Sequence, residues 1–282
     1  MRMQINELTQ KIIAEKPRTI LVLGACDTGK TTFTLDLAKR LVQHSPTAIL
    51  DSDTGQSHIG LPSTIAYANL TPGTTDYQSL TANAPAFIGD VTPTGHLLQF
   101  CAALHNCLRS AREHAHTVLI DTPGYISDST ARALWHETYR LIAPDLIIAL
   151  QKENELEHIL ASLPKNARIT RIIAPSHIPA KTPAARRAYR SNLFRRYFNN
   201  ARTWTVDLKT TPYQSRSNLT PQNIANRVLA LRNYNSHDTA LAIAKEYDPR
   251  TRQLTILSPA TPCSDIAALI FGDFTLEPAA IP

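Results

Sequence analysis

Thr19-Ile20-Leu21-Val22-Leu23-Gly24-Ala25-Cys26-Asp27-Thr28-Gly29-Lys30-Thr31-Thr32 is the stretch that decides the fold. Its first five residues form an apolar, branched run closed by glycine, the pattern of a buried strand. Gly24 to Thr31 fits G-x-x-x-x-G-K-[ST], and Thr32 to Val42 carries apolar residues at helical spacing. Strand, glycine-rich loop and helix in this order predict a phosphate-binding loop. The two glycines let successive backbone N–H groups of Gly24, Ala25, Cys26, Asp27, Thr28, Gly29, Lys30, Thr31 and Thr32 converge on a phosphate. The helix that follows points its positive end at the same place. Lys30 would reach the outer phosphates and Thr31 would offer its hydroxyl to Mg2+. The expected ligand is a nucleoside triphosphate.

Outward from this loop, strand-like and helix-like segments alternate. Residues 5–15 read as a short helix. Thr47-Ala48-Ile49-Leu50 reads as a strand ending at Asp51, Ser63–Ala68 and Pro85–Gly89 read as further strands, and His96–Ala111 reads as a helix. Thr117–Asp121 and Asp145–Leu150 are two more buried runs. This alternation predicts an α/β fold: a P-loop NTPase domain with a mostly parallel sheet flanked by helices. Ligands then gather at the carboxyl ends of the strands, where the P-loop, Asp51–Gln56 and Asp121 all fall. The last third differs. Thr182–Asn200 is helical and carries Arg186, Arg187, Arg190, Arg195 and Arg196; Leu241–Leu257 reads as a hairpin, and Ile266–Leu276 as a strand pair or bent strand. The expected organisation is an N-terminal helix over 1–16, a P-loop domain over 17–205 with an arginine-bearing lid around 182–200, and a small C-terminal β appendage over 206–282.

Composition narrows the classes. The 282 residues are 43% hydrophobic, enough for a substantial core. A net charge of +6 permits a polyanionic partner without demanding one. Cys26, Cys101, Cys107 and Cys263 form no C-x-x-C pair, so free thiols in a reducing compartment are expected. Residues 1–5 lack the apolar core of a signal peptide, and no apolar run approaches the ~18 residues of a membrane span. The expectation is a cytoplasmic protein that does not enter a membrane.

Asp51 and Asp53 lie two apart at a strand end, so their side chains can project to one side. Beside a metal-bound nucleotide, one carboxylate can order the metal's waters and the other can accept a proton from an attacking hydroxyl. The competing reading is an ordinary D-T-G turn capped by aspartate. Asp121 stands where P-loop proteins hold a metal-ordering carboxylate, which makes Thr31, Asp51, Asp53 and Asp121 the expected Mg2+ set, partly through water. Arg186 and Arg190 are i,i+4 on one helical face, and their planar forks suit a transferring phosphoryl group. For His96 two readings stand: a phosphate contact at a helix start, or a residue without chemistry. Asp121-Thr122-Pro123-Gly124 also fits the D-x-x-G of GTP-binding switches. However, the place of their N-K-x-D holds Gln151-Lys152-Glu153-Asn154, so the base-reading element is missing.

On these pieces the chain resembles the polynucleotide 5′-hydroxyl kinase family. That family includes the RNA kinase subunit of eukaryotic tRNA-splicing and mRNA 3′-processing complexes, the nucleolar rRNA-processing kinase and shorter prokaryotic members. The resemblance rests on Gly24–Thr31, Asp51-Ser52-Asp53-Thr54-Gly55-Gln56, Gly89–His96, Asp121-Thr122-Pro123-Gly124-Tyr125 and the helix from Arg186 to Phe198. It runs from about residue 17 to the C-terminus. It implies transfer of the γ-phosphoryl group of ATP, with Mg2+, to the 5′-hydroxyl of RNA or DNA. Lys30 is implied as the Walker lysine, Asp53 as general base and Arg186 and Arg190 as lid arginines. Gln56 belongs to the same element as Asp53, and Thr122, Pro123, Gly124 and Tyr125 form a clasp on the nucleic-acid backbone. Two rival classes are a regulatory GTPase-like switch and a catalytically silent scaffold that binds ATP or nucleic acid. The chain departs from the family after the clasp: Tyr125 stands where many members have Trp, and Ile126-Ser127-Asp128-Ser129 replaces a Lys and glycines.

Overall fold

The computed structural model of the chain describes residues 2–261 and 265–281; Cys263 lies outside them. In chain order the first unit comprises α1 (Arg2–Glu15), β1 (Thr19–Gly24), α2 (Lys30–Leu41), β2 (Thr47–Asp51), β3 (Thr64–Asn69), β4 (Asn83–Phe87), α3 (Leu97–His114), β5 (Thr117–Asp121), α4 (Ser129–Ile142), β6 (Leu146–Gln151), α5 (Glu157–Leu160), β7 (Ile169–Ile173) and α6 (Pro183–Phe198). Seven strands form one sheet in the order β4-β3-β2-β5-β1-β6-β7. Only β3 runs against the others. It pairs antiparallel with both β2 and β4, because the chain returns from Asp51 to Thr64 without a crossover helix.

Every residue of β1 is buried, as a strand with parallel neighbours on both sides and helices on both faces requires. Its side chains alternate between two cores. Leu21 and Leu23 join the layer under α3, α4 and α5, whereas Ile20 and Val22 join the layer under α1 and α2. This sandwich fixes the strand ends, so Gly24, Asp51 and Asp121 finish on one rim. Asp51 pairs in register with Asp121, and Val22 with Asp121.

The C-terminal part comprises β8 (Arg202–Asp207), β9 (Tyr213–Gln214), α7 (Pro221–Ile224), β10 (Arg227–Asn233), β11 (Asp238–Asp248), β12 (Gln253–Ser258) and β13 (Ile266–Thr275). They build a second sheet of six strands, β8-β12-β11-β10-β13-β9, with its own apolar core around Leu229, Leu254 and Leu269. The expected hairpin is present as β11 and β12. Two details differ from the sequence reading. Ile266–Thr275 is a single strand whose register shifts against β10, and β10 itself had no sequence-level counterpart. Arg227 to Leu231 of β10 are all buried, so the strand shows no alternation, and its Asn and Arg flanks read as loop. The sheet also starts at Arg202, slightly before the expected boundary.

The second sheet docks on the edge of the first. Phe87 N donates to Asp238 Oδ2 at 2.8 Å and Asp273 N to Gly89 O at 2.8 Å. A Cβ on Gly272 would stand 2.8 Å from Gly89 O, so this approach needs glycine. The aromatics of α6 pack here too: Phe194 and Phe198 are buried with Val228 and Ile243. Among the described residues no helix is long and apolar enough to cross a membrane.

Candidate active site

The phosphate-binding loop has the expected shape. Gly29 takes the left-handed conformation (φ 85°) at the N-cap of α2, whose first turn has no side-chain cap. Uncapped N–H groups at a helix start are an anion site. Lys30 is buried and its Nζ donates to Ala25 O at 2.7 Å, which folds the side chain back along the loop. Thr28 Oγ1 closes the same loop onto Ala25 O at 2.9 Å. A Cβ on Gly24 would meet Leu150 O at 2.7 Å, so β6 fixes where the loop begins.

The two aspartates at the end of β2, Asp51 and Asp53, make different contacts. Asp51 is fully buried; its Oδ1 accepts from Asp53 N (3.0 Å) and its Oδ2 from His58 N (2.5 Å) and Ile59 N (2.9 Å). It therefore organises the loop from 53 to 59. Asp53 is half-buried, and among the described residues only its Oδ1 is engaged, by Gly55 N (3.1 Å) and Gln56 N (3.0 Å). The D-T-G turn chemistry and an available carboxylate oxygen thus coexist in one residue. Asp121 is buried beside the Thr31 hydroxyl, and its Oδ1 has no hydrogen-bond partner among the described residues. Burial first, then the nearby Asp51 charge, holds its carboxyl well above the usual range, against the pull of Lys30. An orphaned carboxylate oxygen beside a P-loop hydroxyl fits a divalent cation. Among the described residues no three acidic or imidazole side chains converge as a cage. Mg2+ needs none, since it commonly takes one or two protein ligands with waters and substrate phosphates. Of the four residues expected to hold it, Thr31 and Asp121 meet; Asp51 turns its oxygens to the loop.

Helix α6 lies over this rim. Arg186 Nη2 bonds to Asp27 Oδ2 of the P-loop at 2.6 Å, and Lys181 N donates to the same oxygen at 3.1 Å. Arg190 makes a long contact to Gly55 O (3.5 Å) and Gln56 Nε2 an equally long one to Arg186 O. Burial, then the charges of Arg187 and Arg186, pull Arg190 below its usual pKa, while Asp53 and Asp90 oppose them. On the other side of the loop, Thr122 Oγ1 donates to Val22 O (2.7 Å) and pins the clasp to β1. A Cβ on Gly124 would come within 2.5 Å of the Cys26 nitrogen, so clasp and P-loop touch backbone to backbone. Pro123 is buried and Tyr125 half-buried.

Residues 24–200 match the family model described as the mRNA cleavage and polyadenylation factor CLP1 P-loop. The chain belongs to this family. A polyribonucleotide 5′-hydroxyl-kinase of Pyrococcus horikoshii is 32% identical over 195 residues, covering 69% of this chain and 53% of that protein. One of Methanocaldococcus jannaschii is 29% identical over 194 residues, covering 68% and 54%. The chain thus spans about half the length of these curated relatives. The solved structure of a wild-type Clp1p–Pcf11p (454–563) complex has the same fold, with a TM-score of 0.75 at 16% identity over 98% of this chain and 79% of that one.

Within this CLP1 P-loop domain several residues face the site without having been singled out in the sequence. The Asp27 side chain is one; an acid inside a phosphate cradle, with arginines on a later helix, was the available signal. His58 is another. Its ring lies 5.2 Å from Tyr77 and 5.9 Å from Tyr189, and its Nδ1 is buried without a partner. Burial holds its pKa below the usual value, although the Asp121 and Asp53 charges oppose this. Tyr77 OH donates to Thr31 O (3.1 Å) and Tyr189 OH to Ser57 O (2.8 Å), so this aromatic group ties α2, the Asp53 loop and the lid together. His96 makes no cap bond; its Nε2 lies 3.4 Å from Asp273 and 3.9 Å from Asp90, among carboxylates. Asp128, the departure after the clasp, is the N-cap of α4: Oδ1 accepts from Ala131 N (2.7 Å), and Tyr125 OH donates to the same carboxylate (2.9 Å). Its acidity belongs to the helix start.

Proposed function

We propose that the chain is a polynucleotide 5′-hydroxyl kinase, transferring the γ-phosphoryl group of ATP to the 5′-OH end of an RNA or DNA strand. The observation that carries this reading is Asp53. Its carboxylate has one oxygen engaged by the backbone and one available, on the rim shared by the P-loop and the lid arginines. Asp53 Oδ2 accepts the proton of the attacking 5′-hydroxyl as the O–P bond forms and the bond from the γ-phosphorus to the bridging oxygen of ADP breaks. Lys30, released from Ala25 O, and Arg186 with Arg190 carry the charge on the transferring group, which is where phosphoryl transfer needs stabilisation. Thr31 and Asp121 would hold Mg2+, which when bound neutralises the outer phosphates. Gln56 and the clasp from Thr122 to Tyr125 seat the strand, with backbone groups rather than the Thr122 hydroxyl facing it.

The homologues named polyribonucleotide 5′-hydroxyl-kinase support the same activity. The test is incubation with γ-labelled ATP, Mg2+ and matched RNA and DNA strands carrying 5′-OH or 5′-phosphate ends. Label on 5′-OH strands alone is expected, and the RNA-to-DNA ratio sets the substrate class. Steady hydrolysis of ATP or GTP with no labelled strand would instead point to a switch protein.

A further inference from the structure

The rim of the large sheet opposite the P-loop also carries a pocket. Arg18, His105, Arg109 and Arg112 line a cavity of about 230 Å³, closed by apolar residues of α3 and α4, and no acidic residue lines it. Asp145, beside it, accepts from the backbone N–H groups of Arg18 (2.9 Å) and Thr19 (2.8 Å) through one oxygen. Arg112 is braced in place: Nε donates to Thr19 Oγ1 at 3.1 Å and Nη2 reaches Ile142 O at 3.4 Å. Burial, then the Arg18 charge, lowers its pKa, with Asp145 opposing. Cations crowded around one space are relieved by an anion, and planar guanidinium forks match the oxygens of a phosphate.

The pocket is linked to the catalytic rim. Helix α3 has 18 residues and so runs for about 27 Å. It starts at the loop from 89 to 96, where Val91 O lies 3.0 Å from the place of a Cβ on Gly55 in the Asp53 turn. It ends beside Thr19. Along it lies a larger cleft of about 580 Å³, walled by Gln99, Asn106, Arg109 and Arg216 among others, and Arg109 belongs to both cavities. The cleft, which Glu113 and Asp238 also line, reaches from Gly89 and His96 at the start of α3 to the cationic pocket at Arg109.

We propose that Arg18, His105, Arg109 and Arg112 bind a backbone phosphate of the acceptor strand, downstream of its 5′ end. This rests on the reading of the other rim as a 5′-hydroxyl kinase. It makes the enzyme selective for strands over dinucleotides through contacts remote from the chemistry.

The test uses the full chain and an Arg18→Ala/Arg109→Ala variant, both positions being exposed. Binding of a long 5′-OH RNA strand is followed by fluorescence anisotropy at rising salt without ATP. Losing this one phosphate contact should flatten the plot of log affinity against log salt by about 0.7. In the transfer assay, KM for the long strand should rise about tenfold, while KM for a 5′-OH dinucleotide, KM for ATP and kcat stay put. An unchanged salt slope and unchanged long-strand KM would overturn the proposal. The His105 ring signals in NMR separate sources: the strand should shift them, and inorganic phosphate at equal phosphate concentration should not. Shifts with inorganic phosphate alone would also overturn it. The anisotropy arm needs no turnover, so a wild type that binds strands by this pocket but transfers nothing would count against the kinase reading only.

Discussion

The two rims of the seven-stranded sheet are built differently. At the carboxyl rim the cations are matched: Lys30 rests on Ala25 O, Arg186 on Asp27 and Arg190 near Gly55 and Asp53. At the amino rim, Arg18, His105, Arg109 and Arg112 share a pocket without an acidic lining residue. The contrast separates chemistry from grip. A site that moves a phosphoryl group needs charges held in fixed opposition and released at the right moment. A site that only holds a phosphate needs cations left open. Parallel strands make this division possible, since all carboxyl ends, and their variable loops, fall on one side.

The comparison breaks most sharply at Lys30. Lys30→Ala should cost transfer about a thousandfold, the upper end for losing a charge-stabilising donor, while strand binding at the amino rim persists. Rate measurements under saturating ATP alongside strand anisotropy check this. Next comes Gly124→Ala. Its Cβ would meet backbone atoms of Cys26, so the clasp or P-loop must move, and a displacement of that size can lower transfer about a hundredfold. Cys26→Ala should not rescue it, because the obstacle includes the Cys26 nitrogen.

A smaller effect sharpens the matched-charge side. Asp27→Asn removes the partner of Arg186, and transfer should fall about tenfold, the size of one charge-assisted hydrogen bond. Made on an Arg186→Ala background the same change should do little, which a double-mutant cycle of kcat/KM measures. Asp128→Ala loses an N-cap and should cost about 1 kcal/mol, lowering Tm by about 2–4 °C in a scan and leaving both rims working. The least effect is expected at Glu157, whose carboxyl the Arg171 guanidinium, then Gln151, holds down to about 2 from 4.5. A depressed carboxyl stabilises above its unfolded value and loses that contribution as pH falls from 4.5 through about 2. The pair is exposed, so Glu157→Gln should flatten acid unfolding in that window by less than ~1 kcal/mol.

What could be read beforehand follows from where information is local. Gly24–Thr31 carries its own geometry, because two glycines, a lysine and a following helical pattern leave few conformations. Asp53 and Asp121 were readable because strand ends in a parallel sheet share a rim. The loop-organising contacts of Asp51 were not legible, because its three backbone N–H donors come from residues 53, 58 and 59, which reach it only once the loop folds back. Contacts between distant segments were not legible. Nothing local ties Asp27 to Arg186 or Gly124 to Cys26. The cationic pocket joins Arg18 to α3 only after β1 and β5 pair. Strand β10 was missed because Arg227 to Leu231 are all buried and show no period.

The most direct test of the central claim is a single-turnover experiment with γ-labelled ATP and a 5′-OH RNA strand, comparing wild type with Asp53→Asn at matched ATP occupancy. Both chains should bind ATP equally, wild type should label the 5′ end, and the variant should do so at least about a hundredfold more slowly. Equal labelling by the two chains, or label released only as inorganic phosphate by wild type, would contradict it.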